Sequence, residues 1–242
     1  MNPGYWIVTS TIKHLSRLVC TLDEHELSKV PKTGPLIVVA NHINFLDVPL
    51  LYSHLAPRPM TGFAKAETWD SRWMGALFNL WGGIPLRRGE ADTHALRKGL
   101  AALAQGKILG ISPEGTRSGN GCLQRGHPGV VTVATLCASQ LGEAVPILPI
   151  AFWGLEHLYP NLNQLRRTHV HIRVGRPFYL GWGEKRMGRE LRQAIVDEIM
   201  GQIAVMLPEA NRGVYAAEHY STRYLRFDEA PDPTADRHAL KS

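Results

Sequence analysis

Several things are missing from this chain of 242 residues, and each absence excludes a class. No apolar stretch reaches the ~18 to 20 residues that span a bilayer, and no cleavable signal peptide is expected at the N-terminus, so any membrane contact is expected to be monotopic. Cysteine is scarce. Cys20, Cys122 and Cys137 form an odd, scattered set without C-x-x-C, which suits a reducing compartment and implies neither a disulfide framework nor structural zinc. They are expected as small buried apolar residues. There is no H-E-x-x-H, so His54, His94, His127, His169 and His171 are expected at the surface or in the core rather than around a metal. Nor is there a G-x-S-x-G to supply an enzyme nucleophile. Acidic residues are outnumbered, 21 against 27 Lys and Arg, for a formal charge of +6. That balance favours an anionic partner: nucleic acid, an anionic membrane face or a phosphate-bearing substrate. Without zinc-finger spacing or a dense Lys/Arg run interleaved with aromatics, nucleic acid is the least supported of the three.

The chain is long enough to bury a sizeable core as one large domain. Strand-like runs at 36–40, 59–64, 107–111, 145–152 and 169–174 alternate with helix-like stretches at 47–55, 69–80, 92–104, 128–141 and 188–206. Such alternation predicts an α/β fold, a mainly parallel central sheet flanked by helices, with ligands bound at strand ends.

Directly after the apolar run LIVVA at 36–40 stands NHINFLD, in which His42 and Asp47 are five positions apart. A regular helix would not align side chains at that spacing, but a strand-to-helix turn folds Asp47 back toward the imidazole. The pair then resembles a general base with its orienting carboxylate, and with no nucleophile motif the hydroxyl it activates belongs to the substrate. Taken alone, the same residues also describe an N-cap with a hydrogen-bonded neighbour.

Three further segments end probable strands. In GGIPLRRG at 82–89, Arg87 and Arg88 beside a glycine suit an anion, although a solvated basic turn reads the same. In SPEGTRSG at 112–119, Pro113 and Gly115 shape a tight turn, Thr116 and Arg117 offer donors, and Glu114 is placed to hold an arginine or a substrate hydroxyl. In VPILPIAFWG at 145–154, Pro146 and Pro149 each remove a ladder donor, which predicts an edge strand or the wall of a groove.

In this order the four segments resemble the blocks of the glycerolipid acyltransferase family that includes 1-acylglycerol-3-phosphate acyltransferase, over about residues 36–154. The resemblance makes His42 and Asp47 the catalytic His-x4-Asp pair, with Asn41 and Asn44 completing the first block. It places a phosphate-binding arginine at Arg88 and matches Glu114, Gly115, Thr116 and Arg117 to the third block, as substrate-binding residues. Lys65, in FAKAE, stands where relatives often carry a lysine. Ser112 replaces the usual phenylalanine, and Arg87 fills a position often acidic or variable. The activity implied is transfer of a fatty acyl group from acyl-CoA or acyl-carrier protein to the hydroxyl of lysophosphatidic acid, giving phosphatidic acid, with no metal or redox cofactor. Glycerol-3-phosphate, another lysophospholipid or a glycolipid is an alternative acceptor. A thioesterase and a catalytically silent lipid-binding module are the rivals.

Between 5 and 22, Val8, Ile12, Leu15, Val19 and Leu22 recur at helical spacing behind Tyr5 and Trp6. Residues 1–30 are expected as an amphipathic helix at a membrane interface, on the cytoplasmic face; 31–213 as the acyltransferase-like domain; 214–242 as a partly flexible tail. Trp69, Trp73, Leu77 and Leu80 form a second stripe, which alone predicts packing on the core.

Overall fold

The computed structural model describes residues 3–87, 92–181, 187–217 and 219–227. Helix α1 (Pro3–Val19) runs directly into strand β1 (Cys20–Asp23), then β2 (Leu36–Ala40), α2 (Asp47–Leu55), β3 (Met60–Lys65), α3 (Arg72–Leu80) and β4 (Ile84–Leu86). There follow α4 (Thr93–Ala104), β5 (Ile108–Ile111), α5 (Gly129–Gln140), β6 (Ile147–Trp153), α6 (Leu158–Asn163) and β7 (Thr168–Val174). A small antiparallel pair, β8 (Tyr179–Leu180) with β9 (Leu225–Arg226), brackets α7 (Arg189–Ala204).

Seven strands form one sheet in the order β1-β7-β6-β2-β5-β3-β4, parallel throughout except between β6 and β7. The run LIVVA has no polar residue because β2 is covered on both faces. Ile37 and Val39 enter a core built with Leu100 and Leu103 of α4, Val130 of α5 and Ile199 of α7. Leu36, Val38 and Ala40 face the opposite way, toward Tyr5 of α1, Leu50 and Leu51 of α2, and Trp81.

The prolines of 145–152 do not mark an edge. β6 lies between β7 and β2, and all but its last residue are buried. Pro149 lacks an N–H for this ladder but still takes part in it, because Gly175 on the β7 side donates its N–H to the Pro149 carbonyl at 2.9 Å. Two residues back along β6 and three on along the other segment, Ile147 and Phe178 exchange both backbone bonds, so the pairing continues past the proline.

The N-terminal helix stops at Val19, and Leu22 belongs to β1. Its inward face is Tyr5, Thr9 and Ser16, with Val8, Ile12 and Val19 half-buried; Trp81 Nε1 donates to Thr9 Oγ1 at 3.1 Å. Leu15, expected on the same seam as Val8 and Ile12, instead points outward with Ile7 and Leu18. In the second stripe Leu77 and Leu80 pack on the core while Trp73 is exposed. The beginning of the expected tail is packed as well: Tyr215 is buried, its hydroxyl donating to Asp197, and buried Glu198 accepts from Ser221 and from the backbone of Arg223 and Tyr224.

Candidate active site

Where β2 ends, two amide side chains replace its strand partner. Asn41 donates to the Phe152 carbonyl and accepts from the Phe152 N–H, both at 2.8 Å. Asn44 donates to the Leu155 carbonyl at 2.8 Å and accepts from Leu46 N–H at 2.8 Å, which turns the chain into α2. Asparagine suits both positions because one side chain offers a donor and an acceptor. The loop from 41 to 46 is thereby pinned to the exit of β6.

Asp47 is the first residue of α2, so the helix N-terminus supports its charge in a nearly closed site. Its Oδ2 lies 2.8 Å from His42 Nδ1 and accepts the N–H groups of Ile43 at 2.6 Å and Asn44 at 3.1 Å. An oxygen that accepts two amide protons carries none of its own. Nδ1 is therefore the donor, and in the neutral imidazole Nε2 is the nitrogen open to a proton. His42 retains 17% of its side-chain surface, against 3% for Asp47, so the imidazole is the member of the pair that solvent or a ligand reaches.

Glu114 departs from its expected role. Rather than holding an arginine or a substrate hydroxyl, it is 2% exposed and accepts the backbone N–H of His42 at 2.8 Å and of Gln124 at 2.9 Å. Burial pushes its carboxyl up to about 7, with the two backbone bonds pulling the other way. It braces the loop that carries His42. The same segment completes the brace through Ser118 N–H to the His42 carbonyl at 2.8 Å and Gly119 N–H to the Ile43 carbonyl at 3.0 Å. Gly115 turns the segment at φ +68, where a Cβ would be strained.

Strand order sets where the cations stand. The neighbours β2, β5, β3 and β4 run parallel, so His42, Thr116 and Arg117, Lys65, and Arg87 all lie beyond the C-terminal ends of adjacent strands. Thr116, Arg117, Lys65 and Arg87 are exposed there. With strands ~4.8 Å apart, the ends of β3 and β4 are roughly 10 and 14 Å from that of β2. Arg88, the expected phosphate arginine, lies outside the described residues. Asp92 caps α4 through Ala95 N–H at 2.9 Å and also accepts Arg87 N–H at 3.1 Å, which fixes the exit of this basic turn. Of the other histidines, His54 has a buried side chain, whereas His94, His127 and His169 are exposed.

The bracing function of Glu114 and the two asparagine clamps were not legible beforehand. Their one signal is three polar residues at the ends of strands that are otherwise apolar.

A family model described as Acyltransferase matches residues 21–153, which contain all four blocks. The chain belongs to that family. This acyltransferase is 30% identical over 204 residues to the lyso-ornithine lipid O-acyltransferase of Pseudomonas aeruginosa, an alignment covering 78% of each chain. It is 25% identical over 151 residues to the 1-acyl-sn-glycerol-3-phosphate acyltransferase of Bacillus subtilis, covering 62% of this chain and 71% of that one. Among solved structures its fold is similar to that of the 1-acyl-sn-glycerophosphate acyltransferase PlsC of Thermotoga maritima, with a TM-score of 0.58 and 25% identity over 81% of this acyltransferase and 77% of that chain. These similarities identify an O-acyltransferase of the glycerolipid type, with an α/β fold around a mostly parallel sheet.

Proposed function

We propose that the enzyme moves a fatty acyl group from a thioester, acyl-CoA or acyl-carrier protein, to the hydroxyl of lysophosphatidic acid, giving phosphatidic acid. The observation that carries this reading is the His42–Asp47 contact at 2.8 Å beside a row of strand ends bearing Arg117, Lys65 and Arg87. His42 Nε2 takes the hydroxyl proton as the oxygen attacks the thioester carbonyl, and Asp47 stabilises the imidazolium. Collapse of the tetrahedral intermediate forms the ester and expels the thiolate, to which His42 returns the proton. Every step is proton transfer and acyl exchange, so neither a metal nor a redox cofactor is required. Arg117 and Lys65 hold the acceptor phosphate, together with the Arg88 that the family resemblance implies, and Gly115 and Thr116 shape its pocket.

The 30% identity to an enzyme named for lyso-ornithine lipid favours a second reading, in which another lysolipid is the acceptor. Ser112, where the family usually has phenylalanine, stands next to the phosphate segment in agreement with an altered head-group site. In either reading the enzyme works at the cytoplasmic surface of a membrane. Ile7, Leu15 and Leu18 on the outward face of α1 support that placement, and among the described residues no helix is long and apolar enough to cross a membrane.

The deciding experiment follows thiol release from a long-chain acyl-CoA with lysophosphatidate, lyso-ornithine lipid, glycerol-3-phosphate or no acceptor. Release that depends on lysophosphatidate supports the first reading; preference for lyso-ornithine lipid supports the second; acceptor-independent release makes the protein a thioesterase. Arg117→Ala is expected to raise KM for lysophosphatidate by roughly 10-fold, the weight of one charge-assisted hydrogen bond, while leaving KM for neutral monoacylglycerol unchanged. Equal effects on both acceptors would remove Arg117 from the phosphate site.

A further inference from the structure

At the end of α6 the chain makes a turn that glycine ordinarily makes. Leu165 N–H donates to the Leu162 carbonyl at 3.0 Å and Arg166 N–H to the Asn161 carbonyl at 2.9 Å, the paired bonds of a Schellman cap. That cap puts Leu165 in the left-handed region at φ +54, the one non-glycine residue so placed among the described residues. A Cβ in this conformation crowds the following carbonyl, a cost that glycine avoids. Nothing within the monomer offsets it, because Leu165 is 97% exposed. Both its backbone and its side chain oppose the isolated fold, which is the pattern expected of a residue that a partner takes up.

The surroundings narrow the partner. Tyr159 is 58% exposed and Leu162 39% exposed; Phe45, 41% exposed, sits inside the loop between His42 and Asp47 with its ring centroid 6.3 Å from that of Tyr159. The apolar ridge therefore reaches the catalytic loop itself. Arg167 donates to the carbonyls of Arg17 at 2.5 Å and Cys20 at 2.6 Å, which sets the last turn of α1, with exposed Leu18, against this ridge. From Leu158 to Val170 there is no acidic residue, while Arg166, Arg167 and His169 fall in that stretch; His171, next along, is set against Asp23 of β1 at 3.6 Å. Large apolar side chains on a basic rim match the boundary between anionic head groups and acyl chains.

We propose that Phe45, Tyr159, Leu162 and Leu165 form a wedge that enters the surface of an anionic bilayer, with Leu165 at its tip, and so sets the His42 loop against the plane in which lipid alcohols lie. The lipid nature of the substrate rests on the acyl-transfer reading; the docking surface does not.

The test uses the full chain with Leu165→Gly and Leu165→Met. Co-sedimentation with sucrose-loaded vesicles of phosphatidylglycerol and phosphatidylcholine is measured beside two transfer rates, one to a long-chain acceptor embedded in those vesicles and one to a short-chain acceptor below its micelle concentration. Leu165→Gly is expected to melt at the same or a higher temperature, since it relieves the cap. It should bind vesicles roughly tenfold more weakly, the scale for withdrawing a leucine from an apolar phase, and lose vesicle-supported rate to match, with the short-chain rate unchanged. Leu165→Met should behave as wild type. Wild-type vesicle binding by Leu165→Gly overturns the proposal, and so does an equal loss on the short-chain acceptor. Loss confined to assays with an acyl-carrier-protein donor, with vesicle binding intact, would assign the ridge to the acidic carrier instead. Should the wild type acylate no acceptor at all, the functional reading fails while sedimentation still decides the wedge.

Discussion

A general base for a lipid alcohol needs a free imidazole nitrogen, a fixed tautomer and a nearby anion to stabilise the cation it becomes. His42 meets these conditions through a single oxygen, Asp47 Oδ2, which also holds the Ile43 and Asn44 amides. His42→Ala is therefore expected to lower kcat by roughly 10²- to 10⁴-fold with the circular dichroism spectrum unchanged; full activity in the folded variant would exclude the assignment. Glu114 acts one step back, through the backbone of His42 rather than on substrate. Its raised carboxyl binds a proton more tightly in the folded state than in the unfolded chain. That contribution to stability is fully present below about pH 4.5 and is lost as pH rises through about 7, on the order of 3 kcal/mol in all. Glu114→Gln should flatten this part of the melting-temperature profile between pH 5 and 8. It should also lower kcat more than it alters the acceptor KM, because an amide nitrogen cannot accept from the backbone N–H it would face. An unchanged pH profile would mean that Glu114 does not titrate in this range. The His42 and Asp47 pair was legible because their spacing at a strand exit allows few other geometries. Glu114 was assigned to the wrong partner because motif position does not reveal which way a buried carboxylate points.

At the level of elements, the loop carrying His42 is a strand end held by side chains. Asn44 satisfies Leu155 and Leu46, so Asn44→Ala leaves a buried carbonyl and the entry to α2 unpaired. A loss of about 2 kcal/mol is expected, read as a lower denaturant midpoint at constant slope, together with a reduced kcat, since α2 begins at Asp47. Most helices and strands were legible to within a residue or two, β2 and α2 to the residue, but α3 begins three residues later than expected and α1 stops at Val19 rather than near residue 30. Short β1 was not legible, because four residues without alternation become a strand only by pairing with β7, almost 150 positions later. Pro149 of β6, with Pro146 just before it, misled for a related reason. Proline removes one donor but does not break the backbone bonds on either side of it, which Gly175, Ile147 and Phe178 supply here. On α1, periodicity identified a helix, but Leu15 and Val8 could be told apart only once α2 and Trp81 had chosen a face.

For the molecule as a whole, a charge of +6 and apolar side chains outside the core argue for attraction to an anionic surface followed by insertion. Binding to phosphatidylglycerol vesicles should weaken between about 50 mM and 500 mM salt as the Debye length shrinks from roughly 14 to 4 Å, yet leave a salt-resistant remainder from the apolar contacts. Sedimentation indifferent to salt would deny the electrostatic part; complete release would deny insertion. By itself the sequence determined the α/β class, the positions of most elements, the paired imidazole and carboxylate, and the family, because local periodicity and motif spacing act over a few residues. Only the tertiary structure decided that the strand ends carrying His42, Arg117, Lys65 and Arg87 lie side by side in an order different from that of the chain. It alone turned Glu114 inward, put Pro149 in the middle of the sheet and left Leu165 in the open. Those outcomes depend on which distant backbone each segment meets, and hydrogen-bond satisfaction and burial are settled only when the whole sheet has closed.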